Sequence, residues 1–451
     1  MKNIHFIAIG GAAMHNLAIA LHKEGYNVSG SDDVIFDPSK SRLEKYDLLP
    51  EQFGWFPKKI NKEIDAVILG MHAKPDNPEL LKAQELGLNI YSYPEYLYQQ
   101  SKNMHRVVVA GSHGKTTITS MILHVLDKLK IDVNYMVGSQ LKGFETMVQL
   151  DDSLDTIILE GDEYLSSPID ARPKIFWYHP HTTVISGIAW DHINKFPIEE
   201  DYNHLFAEYI ETIEAGGKLI YNAEDHILNN YAEAFRGNID KIPYKTPEFI
   251  VEDSTYFLKT AQGNIPLQVL GKHNMQNIEA ARKVCQTFNI SDADFYRVIQ
   301  SFKGADKRLE KIFDQDGRII FKDFAHAPSK VAASVTAVRN AYPNNKVIAV
   351  LELHTYSSLN KDFLPQYKDK LNSVDEAIVF YSPKAMAIKR MSPIPKEWIV
   401  KAFNRDDLRV FTEPEDLHEY LYNKSLKDSV LLLMSSGNYG GLDLEKLKTL
   451  S

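Results

Sequence analysis

Along the chain, apolar residues gather in short runs that alternate with stretches of helical spacing. Asn3 to Ile9 reads as a buried strand, and Met14, Leu17, Ala18 and Leu21 then recur at helical spacing until Gly25. A second strand, Tyr26 to Ser29, follows. Strand, glycine turn, helix and strand in that order predict a βαβ opening and a parallel sheet with right-handed crossovers. The pattern resumes with a strand at Ala66 to Leu69, a helix at Pro78 to Leu86 and a strand at Asn89 to Tyr91; Pro94 to Met104 leads out of this first block. A second block opens on the fully apolar strand Val107 to Ala110 and the glycine-rich Gly111 to Thr117. Behind it Ile118, Met121, Ile122, Val125, Leu126 and Leu129 mark one face of a helix packed on a sheet. Strands are expected at Thr156 to Leu159, Thr183 to Ser186 and Lys218 to Tyr221, and the block closes with the helix after Gly271 and the stretch up to Gly304. A third block, from about Lys311, has strands at Arg318 to Phe321, Val347 to Leu351, Glu376 to Phe380 and Ser429 to Met434, with helices between them.

Composition narrows the class. The 451 residues are 44% hydrophobic and 25% charged, the balance of a globular protein with large cores, which excludes disorder and fibre. That length divides into about three domains. A formal charge of -9 repels phosphate backbones and anionic membranes, so no nucleic-acid partner is expected and any bound phosphate must be held locally. The lone Cys285 allows no intramolecular disulfide and no cysteine-built zinc site, which fits a reducing compartment. Lys2 and the stretch Ile4 to Ala20 imitate a signal peptide, but His5, Gly10, Gly11, His15 and Asn16 interrupt it. No membrane insertion is expected, and the protein is placed in the cytoplasm.

Chemistry concentrates at a few loops. Gly111-Ser112-His113-Gly114-Lys115-Thr116-Thr117 lies between a buried strand and a helix start, where successive backbone N–H groups converge on a phosphate. Lys115 supplies a point charge, and the Thr116 hydroxyl is placed to join a magnesium shell, although the spacing is two residues tighter than the common phosphate-loop pattern. Ala8-Ile9-Gly10-Gly11-Ala12-Ala13-Met14 followed by Gly30-Ser31-Asp32 has the outline of a nucleotide-binding βαβ unit; a nicotinamide-dependent oxidoreductase domain and a ligand-free turn remain the rival readings. Glu160 closes a buried strand at the end where open α/β sheets bind ligands, a natural magnesium site. His192, in Trp190-Asp191-His192, could reach the same crevice, though a lone histidine is more often structural. In Gly271 to Asn277, His273 or Asn274 could simply cap a helix. Phe302 to Glu310 reads equally as a solvated linker, and Asp323 to Ser329 as a turn with a helix start.

Taken in order, these motifs resemble the Mur ligase family, the ATP-dependent amide-forming enzymes of peptidoglycan synthesis, over essentially the whole chain. The family's phosphate loop matches Gly111 to Thr116, its magnesium glutamate Glu160, its adenine motif Gly271 to Asn277, its linker arginine Arg308, and its D-x-x-H-x-P run Asp323 to Pro328. The resemblance implies an α/β fold of three domains in series: a Rossmann-like UDP-sugar domain at 1–100, a P-loop ATPase-like central domain at 101–307, and a Rossmann-like amine-binding domain at 308–451. It implies ATP and Mg2+ as cofactors, with UDP-N-acetylmuramate and a peptide or amino acid amine as substrates. Lys115, Glu160, His192 and Arg308 become the expected catalytic set, and Thr116, Glu160 and His192 the metal ligands. His273, Asn274, Asn277 and Asp323 would frame the nucleotide with the phosphate loop. Gly10, Gly11, Met14, Ser31, Asp32 and His72 would bind the sugar nucleotide. Ala8, Ala13 and Ala327 depart from the family pattern.

Within the family, Lys307-Arg308-Leu309-Glu310, Asp323 to His326 and Met434 to Gly441 resemble the branch that recycles the tripeptide L-alanyl-γ-D-glutamyl-meso-diaminopimelate. The alanine-adding branch usually has H-R-Y-T where this chain has His354-Thr355-Tyr356-Ser357. It is the alternative, together with a nonenzymatic sugar-nucleotide sensor of the same fold. The reaction implied is phosphorylation of the muramyl carboxylate to an acyl phosphate, then attack by the amine, with Arg308 reaching the γ-phosphate on closure of the third domain. The base for the amine is not identified, and His354 is more readily structural.

Overall fold

The structure is a computed structural model that describes residues 2–138, 140–141, 143–190, 196–306 and 308–449. It forms two compact units, one of Met1–Ala189, Asn203–Lys245 and Ala280–Ile290, the other of Trp190–Tyr202, Thr246–Glu279 and Ser291–Ser451.

In the first unit, β1 (Asn3–Ile7), β2 (Asn27–Ser31), β3 (Ala66–Leu69) and β4 (Ile90–Ser92) form a parallel sheet of order β2-β1-β3-β4. β1 stops at Ile7, two residues earlier than its apolar run suggests. Ala8 adopts φ 68°, and the Ala8 and Ile9 N–H groups both donate to the Ser31 carbonyl, which turns the chain out of the sheet. The segment expected as a lead-out is mostly the helix Tyr93–Ser101, started by a Ser92–Glu95 capping box.

The central sheet contains β5 (His105–Ala110), β6 (Asn134–Met136), β7 (Val148–Gln149) and β8 (Thr156–Glu160). After the hairpin of β9 (Leu165–Ser167) and β10 (Asp170–Pro173) come β11 (Thr182–Ile185), β12 (Lys218–Asn222) and β13 (Asp240–Tyr244). Its order is β13-β12-β11-β5-β8-β6-β7, parallel except at β7. Val107 to Ala110, Ile157 to Leu159 and Val184 to Ile185 are wholly buried, as a sheet covered on both faces requires.

The second unit holds a three-stranded antiparallel sheet, β14 (Phe249–Glu252), β15 (Thr255–Thr260) and β16 (Gly263–Leu267). Its main sheet comprises β17 (Glu310–Gln315), β18 (Arg318–Asp323), β19 (Lys346–Glu352), β20 (Glu376–Phe380), β21 (Arg409–Phe411) and β22 (Ser429–Met434), in the order β17-β18-β22-β19-β20-β21. Only β17 runs antiparallel. Ile348, Val350, Ile378, Phe380, Leu431 and Leu433 form the centre of its core. Among the described residues no helix is long and apolar enough to cross a membrane.

At the amino-terminal edge of the central sheet, Arg106 is buried and its guanidinium donates to the carbonyls of Ser101, Lys102, Met104, Tyr178 and His179 and to Glu214 at 3.0 Å. His181 Nδ1 accepts the Arg106 backbone N–H at 3.1 Å, and the His105 ring stacks on it at 5.0 Å. Burial first, and the Arg106 charge with it, hold the His105 and His181 imidazoles below the usual histidine range. A lowered histidine leaves stability untouched while both states are neutral. Stability is lost once acid protonates the unfolded chain, whose histidines titrate near about 6.5. The melting temperature is therefore expected to fall as pH drops through that value, and His181→Gln to flatten the slope, as read by calorimetry from pH 7.5 to 5.5.

Candidate active site

The parallel register of the central sheet decides which residues meet. Val109 on β5 lies opposite Glu160 on β8, and Ala110 opposite Ile185 on β11, so the loops leaving these three strands emerge side by side. Gly111 takes φ 120°, and a Cβ there would fall 2.4 Å from Ser186 Oγ and 2.8 Å from the Gly187 carbonyl. Gly114 takes φ 82° and caps the helix Lys115–Leu129. Only glycine adopts these backbone angles without strain. The Ser112 N–H and hydroxyl both donate to the Gly187 carbonyl, at 2.9 and 3.2 Å, and the Ser186 hydroxyl donates to the His113 carbonyl. Thr117 is buried in the first helical turn.

Lys115 Nζ donates to the Gly111 carbonyl at 2.6 Å and to Glu163 Oε2 at 2.7 Å. Burial opposes the ammonium charge, yet Glu163, Asp162 and Glu160 together hold Lys115 above the ordinary lysine range. The Thr116 hydroxyl donates to Glu160 Oε1 at 2.7 Å, and Glu160 Oε2 accepts the Gly138 N–H at 2.9 Å. A hydroxyl and a carboxylate on one spot, both hard oxygen donors, fit Mg2+. His192, the third expected ligand, lies outside the described residues.

In the first sheet, Gly10 and Gly11 lead into the helix Ala12–Lys23, on which Met14 is buried. The Gly10 N–H donates to Asp32 Oδ2 at 2.7 Å, and a Cβ on Gly10 would meet Ile35 at 2.8 Å. Burial raises the Asp32 carboxyl despite that N–H. Ser31, at the end of β2, is buried, whereas His72 is exposed on the turn after β3. These residues line the carboxyl ends of β1, β2 and β3, where the strand order reverses.

In the second unit, Gly271 at φ 95° precedes the helix Lys272–Thr287; a Cβ there would meet Ala337 and the His273 ring, each at 2.7 Å. Asn274 Nδ2 donates to the Leu270 carbonyl at 2.8 Å, and Asn277 Nδ2 to Asn274 Oδ1 at 3.2 Å. Burial lowers His273, with the Asp323 charge opposing it. Asp323, the last residue of β18, accepts the Leu309 N–H at 3.1 Å and the Ser334 hydroxyl. Its carboxylate is thereby engaged at the linker. The Arg308 guanidinium lies 5.0 Å over the Phe324 ring, and Leu309 takes φ 46°.

Several participants escape sequence reasoning. Glu163 sits in the same acidic run as Glu160, but nothing in its spacing marks it as the partner of Lys115. Gly138 and Ser186 matter only through sheet neighbours. Lys59 Nζ approaches the Gly30 carbonyl and Ser31 Oγ, both at 3.4 Å, a cation beside the first glycine loop.

Three family descriptions match in series: Mur ligase family, catalytic domain, over residues 3–105, Mur ligase middle domain over 109–285, and Mur ligase, glutamate ligase domain, over 307–437. The UDP-N-acetylmuramate–L-alanine ligases of Agathobacter rectalis and Clostridium acetobutylicum are each 30% identical to the chain, over 99% and 97% of it and 98% and 95% of their own lengths. Among solved structures, a murein peptide ligase from Psychrobacter arcticus shares the fold at a TM-score of 0.68, with 20% identity and 100% of both chains covered. A UDP-N-acetylmuramate–alanine ligase from Thermotoga maritima shares it at 0.73, with 18% identity over 100% of this chain and 98% of that one. A glycine-rich turn ending in Lys115-Thr116, a carboxylate on the neighbouring strand and three α/β domains in series thus find one explanation: the chain belongs to the Mur ligase family of ATP-dependent, ADP-forming amide ligases of peptidoglycan synthesis.

Proposed function

We propose that the protein joins UDP-N-acetylmuramate to the tripeptide L-alanyl-γ-D-glutamyl-meso-diaminopimelate, acting in the cytoplasm with cleavage of ATP to ADP and phosphate. The observation that carries the tripeptide over a single amino acid is the loop leaving β19. A free amino acid presents its carboxylate next to its amine, and a site for it needs a cation there. Residues 353–363 contain no arginine; Thr355 and Ser358 bond each other at 2.9 Å, and the one lysine, Lys361, lies seven residues beyond His354. The 30% identity to alanine-adding ligases supports the second reading, in which L-alanine is the amine.

In this reading Lys115, Arg308 and the N–H groups of Gly111 to Thr117 receive the phosphates, and His273, Asn274, Asn277 and Asp323 the rest of the nucleotide. Gly10, Gly11, Met14, Ser31, Asp32 and His72 hold the sugar nucleotide, and the domain boundaries at 100/101 and 307/308 separate these tasks from amine binding. Thr116 and Glu160 would hold Mg2+, which neutralises charge on the phosphates when bound. A carboxylate oxygen of the muramyl lactate attacks the γ-phosphorus and ADP leaves; the amine then attacks the acyl carbon, loses a proton, and phosphate leaves. Phosphoryl transfer demands position and charge more than covalent help, which is what a rigid loop with a pre-placed ammonium supplies.

Phosphate release from ATP, Mg2+ and UDP-N-acetylmuramate is expected with the tripeptide and not with L-alanine; the reverse pattern would transfer the protein to the alanine-adding step. Lys115→Ala should lower turnover by ~100-fold or more while UDP-sugar binding, measured by calorimetry, persists. Retained turnover would remove the phosphate loop from the mechanism.

A further inference from the structure

β19 and β20 are parallel neighbours that end opposite each other, with Glu352 paired to Phe380, so the loops that follow leave the sheet side by side at its carboxyl end. The buried Glu352 accepts the Ser435 hydroxyl and the Tyr439 N–H, and its other oxygen lies 3.6 Å from His354 Nδ1. Beyond this anchored base, the loop after β19 and the helices Pro383–Ile388 and Lys396–Phe403 that follow β20 carry a lip of exposed side chains. Tyr356 is 53% exposed, Trp398 52% and Ile388 84%. Lys389 Nζ lies 5.5 Å from the Tyr356 ring centre, and Lys361 Nζ 5.1 Å from that of Trp398. Neither ammonium has a carboxylate partner among the described residues, and residues 381–396 contain four cations and no acid in a chain of net charge -9.

We propose that this lip reads the carboxylates of an acidic peptide amine, with Lys361 and Lys389 as the specificity-determining cations. The inference rests on the tripeptide reading and deepens it. In that substrate the carboxylates lie on the residues beyond the reacting alanyl amine, and the lip begins two residues beyond His354. Stacking each ammonium over an aromatic ring fixes the cation without neutralising it, so the charge stays available to a carboxylate. The exposed Tyr356 and Trp398 faces supply apolar contact for the peptide's aliphatic stem.

The test is steady-state kinetics of Lys361→Gln/Lys389→Gln with the tripeptide. KM for the tripeptide is expected to rise about tenfold, with kcat and KM for ATP nearly unchanged. Added KCl should raise the wild-type KM and leave that of the double variant flat. Lys361→Arg/Lys389→Arg should restore the wild-type KM, which a folding defect would not allow. A wild type that uses the tripeptide, with an unchanged KM in the double variant, overturns the lip assignment alone. A wild type that turns over only L-alanine overturns the tripeptide reading and the lip assignment with it.

Discussion

The structure depends on the pairing of β5 with β8. Because side chains alternate faces along a strand, a slip of one residue would turn Glu160 to the other side of the sheet and separate it from Thr116. The register is held by wholly buried apolar side chains on both strands, so the placement of a hydroxyl against a carboxylate at 2.7 Å is a consequence of hydrophobic burial several residues away. Gly111 and Gly114 then convert a strand end into a helix start within a few residues, and Lys115 is left across the mouth of the loop between a carbonyl and Glu163.

The same device recurs in the sheets of β1 and of β18 with different chemistry. At the end of β1 the Gly10 N–H is tied to Asp32. At the ends of β18, β22 and β19 the parallel register aligns Asp323 with Met434 and Leu351 with Met434, which brings Ser435 to Glu352. In each of the three larger sheets a carboxylate at or just beyond a strand end is bound to groups of neighbouring loops, and those bonds fix the loop shapes. Catalytic capacity in such a chain comes from loop content on a repeated frame.

The parts legible in the sequence are those governed by local pattern. Fully apolar runs identified β5, β8, β19, β20 and β22, and helical spacing identified Lys115–Leu129, because burial on both faces or on one stripe leaves a periodic trace. The turn from β5 into the helix Lys115–Leu129 was legible because its glycines and the lysine-threonine pair are contiguous in the sequence. Short strands such as β6 and the edge strands β7 and β21 leave too little pattern to read, and β1 overran by two residues because Ala8 and Ile9 are apolar although the backbone turns there. Glu163, Gly138, Ser186 and Lys59 were not legible because their roles depend on which strand lies beside which. His192 lies outside the described residues.

Arg106 occupies the opposite edge of the central sheet from the Gly111 to Thr117 turn. One guanidinium there satisfies five carbonyls from two chain segments and pairs with Glu214. A buried cation of this kind is costly to leave half-partnered, so neighbouring substitutions have little latitude. The amino edge thus behaves as a keystone that fixes the segments before β5 and β11, while the loops that hold Lys115, Thr116 and Glu160 together leave from the carboxyl edge. A substitution beside Arg106 therefore costs stability whatever the substrate, whereas a change in the loops at the carboxyl end alters the site and leaves this edge untouched.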